Sequence, residues 1–294
     1  MRLQQAAAWS EQVYKAPLII TTSGGKDSSV CTELALRAGI NFEVQHNLTT
    51  ADAPETIYFI RREFARLEER GIKCSVNYPY YKGVRTSMWG LIPQKLIPPT
   101  RVVRYCCSIL KENGGRGRFI TTGVRWAESP RRKKRGIYEK LSSDPAKKII
   151  IANDNIDTRL LFEHCRLKAK RVCNPIVDWT DSDVWDFLVD ARVPVNPLYE
   201  CGFKRVGCVG CPMAGKKRKL EFARWPKYEA MYIQAFDRML KERERRGKMQ
   251  GTWRIGTTGL DVFHWWMEDE VLVDQTSLED HLDTLADEQT NEGG

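Results

Sequence analysis

One stretch near the start of the chain restricts the fold more than any other. Pro17-Leu-Ile-Ile-Thr-Thr22 is a short, β-branched apolar run, and it ends at Ser23-Gly24-Gly25-Lys26-Asp27-Ser28. Helical spacing then takes over, with Val30, Leu34 and Leu36 apolar and Gly39 closing the segment. A strand that turns through paired glycines into a helix is where an anion site forms. Glycine lets backbone approach a phosphate, the amides of the helix start point at it, and Lys26 adds charge. The GxxxxGK[ST] spacing is absent, so this is not a Walker A loop.

The same rhythm repeats downstream. Residues 42–48 alternate as a strand, Pro54 opens a helix that runs to about Glu69, and Gly71 stops it. Residues 74–78 and 119–124 read as further strands, with 149–152 as another short one. Strands alternating with helices predict an α/β fold, a five- to six-stranded mostly parallel sheet flanked by helices. Residues 79–100 read as a long loop and 101–112 as a helix. Thr180 or Asp181 caps a helix through Val184, Leu188 and Ala191. Residues 220–246 form a long helical stretch interrupted at Pro226, with Tyr228, Met231, Tyr232, Ala235, Met239 and Leu240 on its buried face. The expected division is a nucleotide-binding domain with a Cys-rich loop over residues 1–215, then a helical C-terminal extension with an acidic tail over 216–294.

Charge is unevenly spread. Residues 268–294 carry ten Asp and Glu and no Lys or Arg, so the body before them holds 47 basic against 28 acidic residues, a net +19. Such a body attracts polyanions: nucleotides first, and nucleic acid, DNA or tRNA, as a further partner. No apolar run approaches the roughly 20 residues that span a bilayer. Residues 1–11 lack the pattern of a signal peptide. The expectation is a cytoplasmic protein with no membrane partner; the sequence does not set an oligomeric state.

Nine cysteines is an odd count, and in a reducing compartment clustered cysteines read as metal ligands or reactive thiols. Cys208-Val-Gly-Cys211-Pro212 is a CxxC loop, Cys201 precedes it, and the adjacent pair Cys106-Cys107 lies upstream. Thiolates suit an iron–sulfur centre, with structural zinc as the alternative. Cys31, Cys74, Cys165 and Cys173 read as packing residues.

In its strand–helix setting the hexapeptide resembles the pyrophosphate-binding loop (PP-loop) of the ATP pyrophosphatase and phosphoadenylyl-sulfate (PAPS) reductase superfamily. The likeness continues in Thr50-Ala-Asp-Ala-Pro-Glu-Thr56 and in Gly123-Val-Arg125 with Glu128, Ser129 and Arg132. It returns in Asn174-Pro-Ile176 with Trp179, in Asp183-Val-Trp185 and in Asn196-Pro-Leu-Tyr199. The resemblance implies an adenine nucleotide alpha-hydrolase-like fold that binds ATP or an adenylyl derivative at the strand ends. It implies nucleotide contacts from Ser23, Gly24, Gly25, Lys26, Asp27, Ser28, Asp52, Gly123, Arg125 and Arg132, with Lys26, Asp27 and Arg125 as catalytic groups. Asp27 or Asp52 would hold Mg2+ against the phosphates, or else cap helices. Cys106, Cys107, Cys208 and Cys211 resemble the four [4Fe–4S] ligands of iron–sulfur adenylyl-sulfate (APS) reductases. One of the pair with Cys201, Cys208 and Cys211 resembles the cluster of DNA-phosphorothioation sulfur-transfer ATPases.

The resemblance implies an ATP-dependent adenylating enzyme that releases pyrophosphate and passes sulfur, from a donor such as a cysteine desulfurase, to an acceptor such as nucleic acid. A thioredoxin-dependent APS or PAPS reductase stands second. Such reductases use a cysteine in a Glu-Cys-Gly element near their C-terminus; here Glu200-Cys201-Gly202 precedes the CxxC and Cys211 is the last cysteine. A non-catalytic nucleotide- or DNA-binding accessory protein stands third. Residues 259–266 end in Trp265-Trp266, read as core or as a base-stacking platform, and nothing in the sequence pairs with His264.

Overall fold

Leu18–Thr22 forms strand β1, whose side chains alternate between two buried faces. Leu18 and Ile20 join the main core, while Ile19 packs on the other face with Ile120 and Val172. Each such burial contributes about 2 kcal/mol. The computed structural model describes residues 1–112, 114–115, 117–130, 132–141, 149–150, 170–249 and 253–268. Cys165, residues 151–152 of the expected fifth strand segment and the acidic tail from 269 onward lie outside the described residues.

These residues fall into two compact units: Met1–Ser87 with Tyr105–Cys208, and Met88–Arg104 with Val209–Gly294. The first unit is built on β1, β2 (Phe42–Asn47), β3 (Cys74–Asn77), β6 (Phe119–Thr121), β7 (Tyr138–Leu141), β8 (Ile149–Ile150) and β9 (Lys170–Cys173), with a small hairpin of β4 (Tyr80–Tyr81) and β5 (Val84–Arg85). The seven sheet strands run in the order β3-β2-β1-β6-β9-β7-β8. The first five are parallel, and β7 and β8 add an antiparallel edge. The mostly parallel sheet is as the alternation of elements predicts. Strand β7 carries no periodic signal that the sequence reading picked out.

The order places a topological switch beside β1. The chain leaves β1 through helix α2 (Lys26–Arg37) for β2, then through α3 (Pro54–Glu68) for β3, and later returns to β1's other side as β6. Connections on opposite sides leave a crevice at the carboxyl ends of β1 and β6, where ligands bind in open α/β sheets. The N-terminal helix α1 (Arg2–Tyr14) buries Leu3, Ala6, Ala7 and Trp9 in the same core.

The second unit is helical. It contains α4 (Met88–Lys95), then α6 (Arg218–Arg224), α7 (Pro226–Arg245) and α8 (Gly259–Met267); α5 (Asp181–Asp190) belongs to the first unit. Helix α4 corrects the expected long loop at 79–100. Met88, Leu91 and Ile92 are buried at helical spacing, and Pro93 lies inside the helix. Proline removes the bond that Trp89 O would accept from residue 93, and Arg238 Nη2 supplies it instead at 3.2 Å. The break between α6 and α7 falls at Pro226, as expected. Trp266 is core: its ring lies 4.6 Å from Tyr232 and its Nε1 donates to Pro99 O at 2.6 Å. That burial removes Trp266 as a base-stacking platform. No helix among the described residues is long and apolar enough to cross a membrane.

Candidate active site at the switch point

The loop after β1 turns because Gly24 takes φ +71°, a conformation that costs side-chain-bearing residues strain. A Cβ there would also meet Thr56 Cγ2 at 2.9 Å. Ser28 Oγ donates to Gly25 O at 2.7 Å, and Gly24 N donates to Thr22 Oγ1 at 3.2 Å. Gly25 is the N-cap of α2 without a side-chain cap, so the helix start depends on partners from elsewhere. One is Tyr199, whose hydroxyl accepts from Lys26 N at 2.9 Å. Another is Asn196, buried, whose Nδ2 donates to Gly24 O at 3.2 Å and to Thr56 Oγ1 at 3.0 Å. Three segments distant in sequence, Ser23–Ser28, Pro54-Glu55-Thr56 and Asn196-Pro-Leu-Tyr199, thus meet in one hydrogen-bonded unit.

Lys26 is only 7 % exposed and Arg125 only 2 %. Lys26 Nζ lies 2.9 Å from Asp181 Oδ1 and 3.5 Å from Asp27 Oδ2. Arg125 Nε donates to Asp27 Oδ1 at 2.6 Å, and its Nη2 donates to Asp181 Oδ1 at 2.9 Å. The result is a quartet of two buried cations and two carboxylates at the mouth of the switch-point crevice. Burial alone would lower the Arg125 pKa, and Asp27 and Asp181 more than offset it, so it rises. The hydrogen bond from Lys26 holds the Asp181 carboxyl below its usual range against a smaller desolvation effect, and Arg125 adds to the lowering. Burial pushes the Tyr199 phenol up to about 12, which keeps it a neutral donor and acceptor through physiological pH.

The loop after β6 completes the site. A Cβ on Gly123 would meet the Asp27 carbonyl carbon and Cβ at 2.9 Å, so glycine is what lets this loop lie against the first turn of α2. Arg125 is also held through its backbone: its N–H donates to Glu128 Oε2 at 3.0 Å. Arg132, half-buried, pairs with that same Glu128 carboxylate. Asp52 is not the N-cap of α3, a position that Ala53 holds; its Oδ2 accepts from Thr49 N at 2.8 Å and closes the turn before that helix. Asp27 stands in the first turn of α2 as a partner of both cations. In sequence Asp181 reads only as a helix cap, and neither Asn196 nor Tyr199 reads as a site residue. Thr180 is the cap, and Asp181 is thereby left to reach the cations.

Two of the cysteine segments are tied to the carboxyl end of β2 and the chain just after it. Cys106 and Cys107 begin a widened helical turn over Cys107–Lys111, and Asn47 Nδ2 donates to Lys111 O at 3.0 Å. Cys208 forms an isolated antiparallel bridge with Asp52, and its thiol contacts Thr49 Oγ1 at 3.4 Å. Cys106, Cys107, Cys208 and Cys211 are half-buried and Cys201 is exposed, whereas Cys31 and Cys173 are sealed in the core, where burial pushes both thiols up. Cys211 belongs to the second unit. Among the described residues no group of three or more His, Cys, Asp or Glu is assembled as a metal site. The donor chemistry of Cys106, Cys107 and Cys208, and their attachment to one strand end, fit a soft metal or cluster.

Comparison with known proteins adds to this geometry. The model of the phosphoadenosine phosphosulfate reductase domain matches residues 17–214. An uncharacterized protein of Methanocaldococcus jannaschii is 29 % identical over 242 residues, covering 79 % of this chain and 50 % of that protein. The chain spans about half the length of that relative, and 41 % of a second protein from the same organism. An adenosine 5'-phosphosulfate reductase of Bacillus cereus is 22 % identical over 213 residues, covering 71 % of this chain and 78 % of the reductase. Among solved structures, the phosphate complex of a phosphoadenylyl-sulfate reductase from Candida auris aligns with a TM-score of 0.45 at 18 % identity, over 71 % of this chain and 88 % of that one.

Proposed function

The chain belongs to the phosphoadenosine phosphosulfate reductase domain family, and from that premise we propose that it is an ATP-dependent adenylating sulfur-transfer enzyme. The observation that carries the reading is the quartet: Lys26 and Arg125, both buried cations, stand at the glycine loop on the sheet's switch point. Such fixed cations suit the charge that develops when a polyphosphate is cleaved.

The pyrophosphate portion of ATP would rest on Ser23, Gly24, Gly25, Lys26, Asp27 and Ser28, with Gly123 shaping the wall and Arg125 and Arg132 nearby. An acceptor oxygen attacks the α-phosphorus, the bond to the β-bridging oxygen breaks, and pyrophosphate leaves with both electrons of that bond. A sulfur nucleophile then displaces AMP from the adenylated acceptor. Asp27 or Asp52 would help hold Mg2+, which offsets phosphate charge. A [4Fe–4S] cluster would be held by Cys106, Cys107, Cys208 and Cys211, with Cys201 the fifth candidate thiol, and would supply a sulfur- or electron-handling centre; zinc is the alternative occupant. The +19 body fits a nucleic-acid acceptor. A cysteine desulfurase fits the donor role, and the cytosol fits the odd, clustered cysteine count.

A second reading, reduction of an adenylyl sulfate, is favoured by the relatives. Besides the Bacillus protein, an adenosine 5'-phosphosulfate reductase of Burkholderia cepacia is 49 % identical over 41 residues, 14 % of this chain. The exposed Cys201 would then be the required thiol.

The deciding experiment is pyrophosphate release from ATP by the purified protein, beside Lys26→Ala. Release that the substitution abolishes is expected. Absence of nucleotide binding in both proteins would overturn the reading, and sulfite release from an adenylyl sulfate would establish the second one. Anaerobic purification with a visible spectrum and iron, sulfide and zinc analysis tests the metal assignment.

A further inference from the structure

The chain between the third strand and the cysteine pair has an unusual charge pattern. Residues 70–111 contain eight Lys and Arg and no Asp or Glu. Within that run the first unit raises the β4–β5 hairpin. Its turn, Lys82-Gly83, has φ +50° and +77°, the paired positive values of a tight two-residue hairpin turn. Thr86 N donates to Pro79 O at 2.9 Å and closes the base. This is a preorganised ribbon, and its apolar surface is turned outward: Tyr78 is 41 % exposed, Tyr80 53 % and Val84 68 %.

The side chains are arranged as a platform. Tyr80 and Arg85 are register partners, so they stand side by side on one face. The Arg85 guanidinium lies 3.8 Å over the Tyr78 ring. Two outward aromatic rings thus flank a stacked guanidinium, with the exposed Lys82 at the tip. Packing does not account for two exposed aromatic rings at the base of a two-stranded ribbon. Bases stack on such rings in any sequence, and guanidinium and ammonium groups follow the phosphates. An acidic peptide would satisfy the charges but not the rings.

The hairpin also has a useful position. It follows the carboxyl end of β3, and the Ser23–Ser28 loop follows the carboxyl end of β1 in the same parallel sheet, with β2 between them. Strand spacing puts β3 about 10 Å across the sheet from β1. We propose that the Tyr78–Arg85 hairpin is a docking surface for single-stranded nucleic acid, on the same sheet edge as the nucleotide loop. This names the surface for the polyanionic acceptor proposed above and rests on that part of the reading.

The test is fluorescence anisotropy with labelled single-stranded DNA and RNA of about 12 nucleotides, a length within the usual site sizes, across a salt series. Wild type is expected to bind at low salt, and Tyr78→Ala with Tyr80→Ala to weaken binding by about 10- to 100-fold. Tyr80→Trp, which keeps a stacking ring, should bind as wild type does, and Tyr58→Ala, at a still more exposed tyrosine on α3, should change nothing. Arg85→Ala and Lys82→Ala should each flatten the log–log salt slope by about 0.7 for every phosphate no longer neutralised. All these side chains are surface-exposed, so unchanged melting temperatures check the fold. Lys26→Ala should leave oligonucleotide binding intact, which separates this surface from the ATP site. Equal binding by wild type and the double tyrosine variant overturns the proposal, as does failure of wild type to bind. Tyrosine-dependent competition by polyglutamate as strong as by oligonucleotide also overturns it, in favour of an acidic protein partner.

Discussion

The Asp181 carboxylate lies 2.9 Å from the Lys26 ammonium, and the same oxygen accepts a hydrogen bond from Arg125. Both cations beside the glycine loop, Lys26 within it and Arg125 from the loop after β6, are therefore already engaged by one residue at the start of α5, and that residue is itself 65 % exposed on its side chain. A phosphate reaching Lys26 and Arg125 competes with this oxygen. Asp181→Asn is expected to tighten inorganic pyrophosphate binding by about two- to fivefold, the range of a partly exposed ion pair. Isothermal calorimetry checks it; weaker binding would make Asp181 a contributor to ligand contact rather than a competitor.

Gly123 faces Asp27 so closely that even one methyl group has no room. Gly123→Ala is expected to push the β6 loop off the first turn of α2 at a cost of about 1–3 kcal/mol, as overpacking does. Pyrophosphate affinity should drop at least about tenfold, because the displaced Arg125 is a charge-assisted partner of the site. A crystal structure or a denaturant melt with calorimetry would separate the two effects, and native-like affinity would refute the packing argument.

Tyr199 connects a distant loop to the start of α2 through Lys26 N, and Trp185 packs edge-on against its ring at 5.2 Å. Tyr199→Phe keeps the ring and deletes the acceptor. The expected loss is about 1 kcal/mol, or a fall of about 2–4 °C in melting temperature. No change in a thermal melt would mean that water replaces the hydroxyl without cost.

Acid should weaken the first unit through two carboxylates. Asp178 is held low first by the Arg2 hydrogen bonds, and Asp181 first by Lys26. A depressed folded pKa contributes stability that is complete above the unfolded value and lost as pH falls through the folded one. The melting temperature should therefore be level from neutrality down to about pH 5 and decline below about pH 4. Both groups are partly solvated, so each contributes only about 0.2–1 kcal/mol. Arg2→Ala should flatten part of that decline; a pH–melting profile identical to wild type would exclude the Arg2–Asp178 pair as a source.

Local chemistry makes much of this protein legible from its sequence. The β-branched run 18–22, paired glycines and helix-forming residues after Lys26 leave few conformations other than strand, tight turn and helix. Gly39, Pro54, Gly71 and Pro226 punctuate the elements for the same backbone reasons. Helix α4 was not legible, because Pro93 forbids it locally and a guanidinium from another helix permits it.

The chemistry of the site divides in the same way. Ser23–Ser28 and Arg125 could be named from sequence, since glycine spacing and charge are properties of neighbouring residues. That Asp181 engages both cations, that Tyr199 and Asn196 hold the loop, and that Gly123 admits Arg125 to Asp27 depend on which strands lie side by side. Sequence determines conformations over a few residues through backbone sterics and hydrogen bonding. Only tertiary packing decides which distant side chains share a crevice, because that follows from how the whole sheet closes over its core.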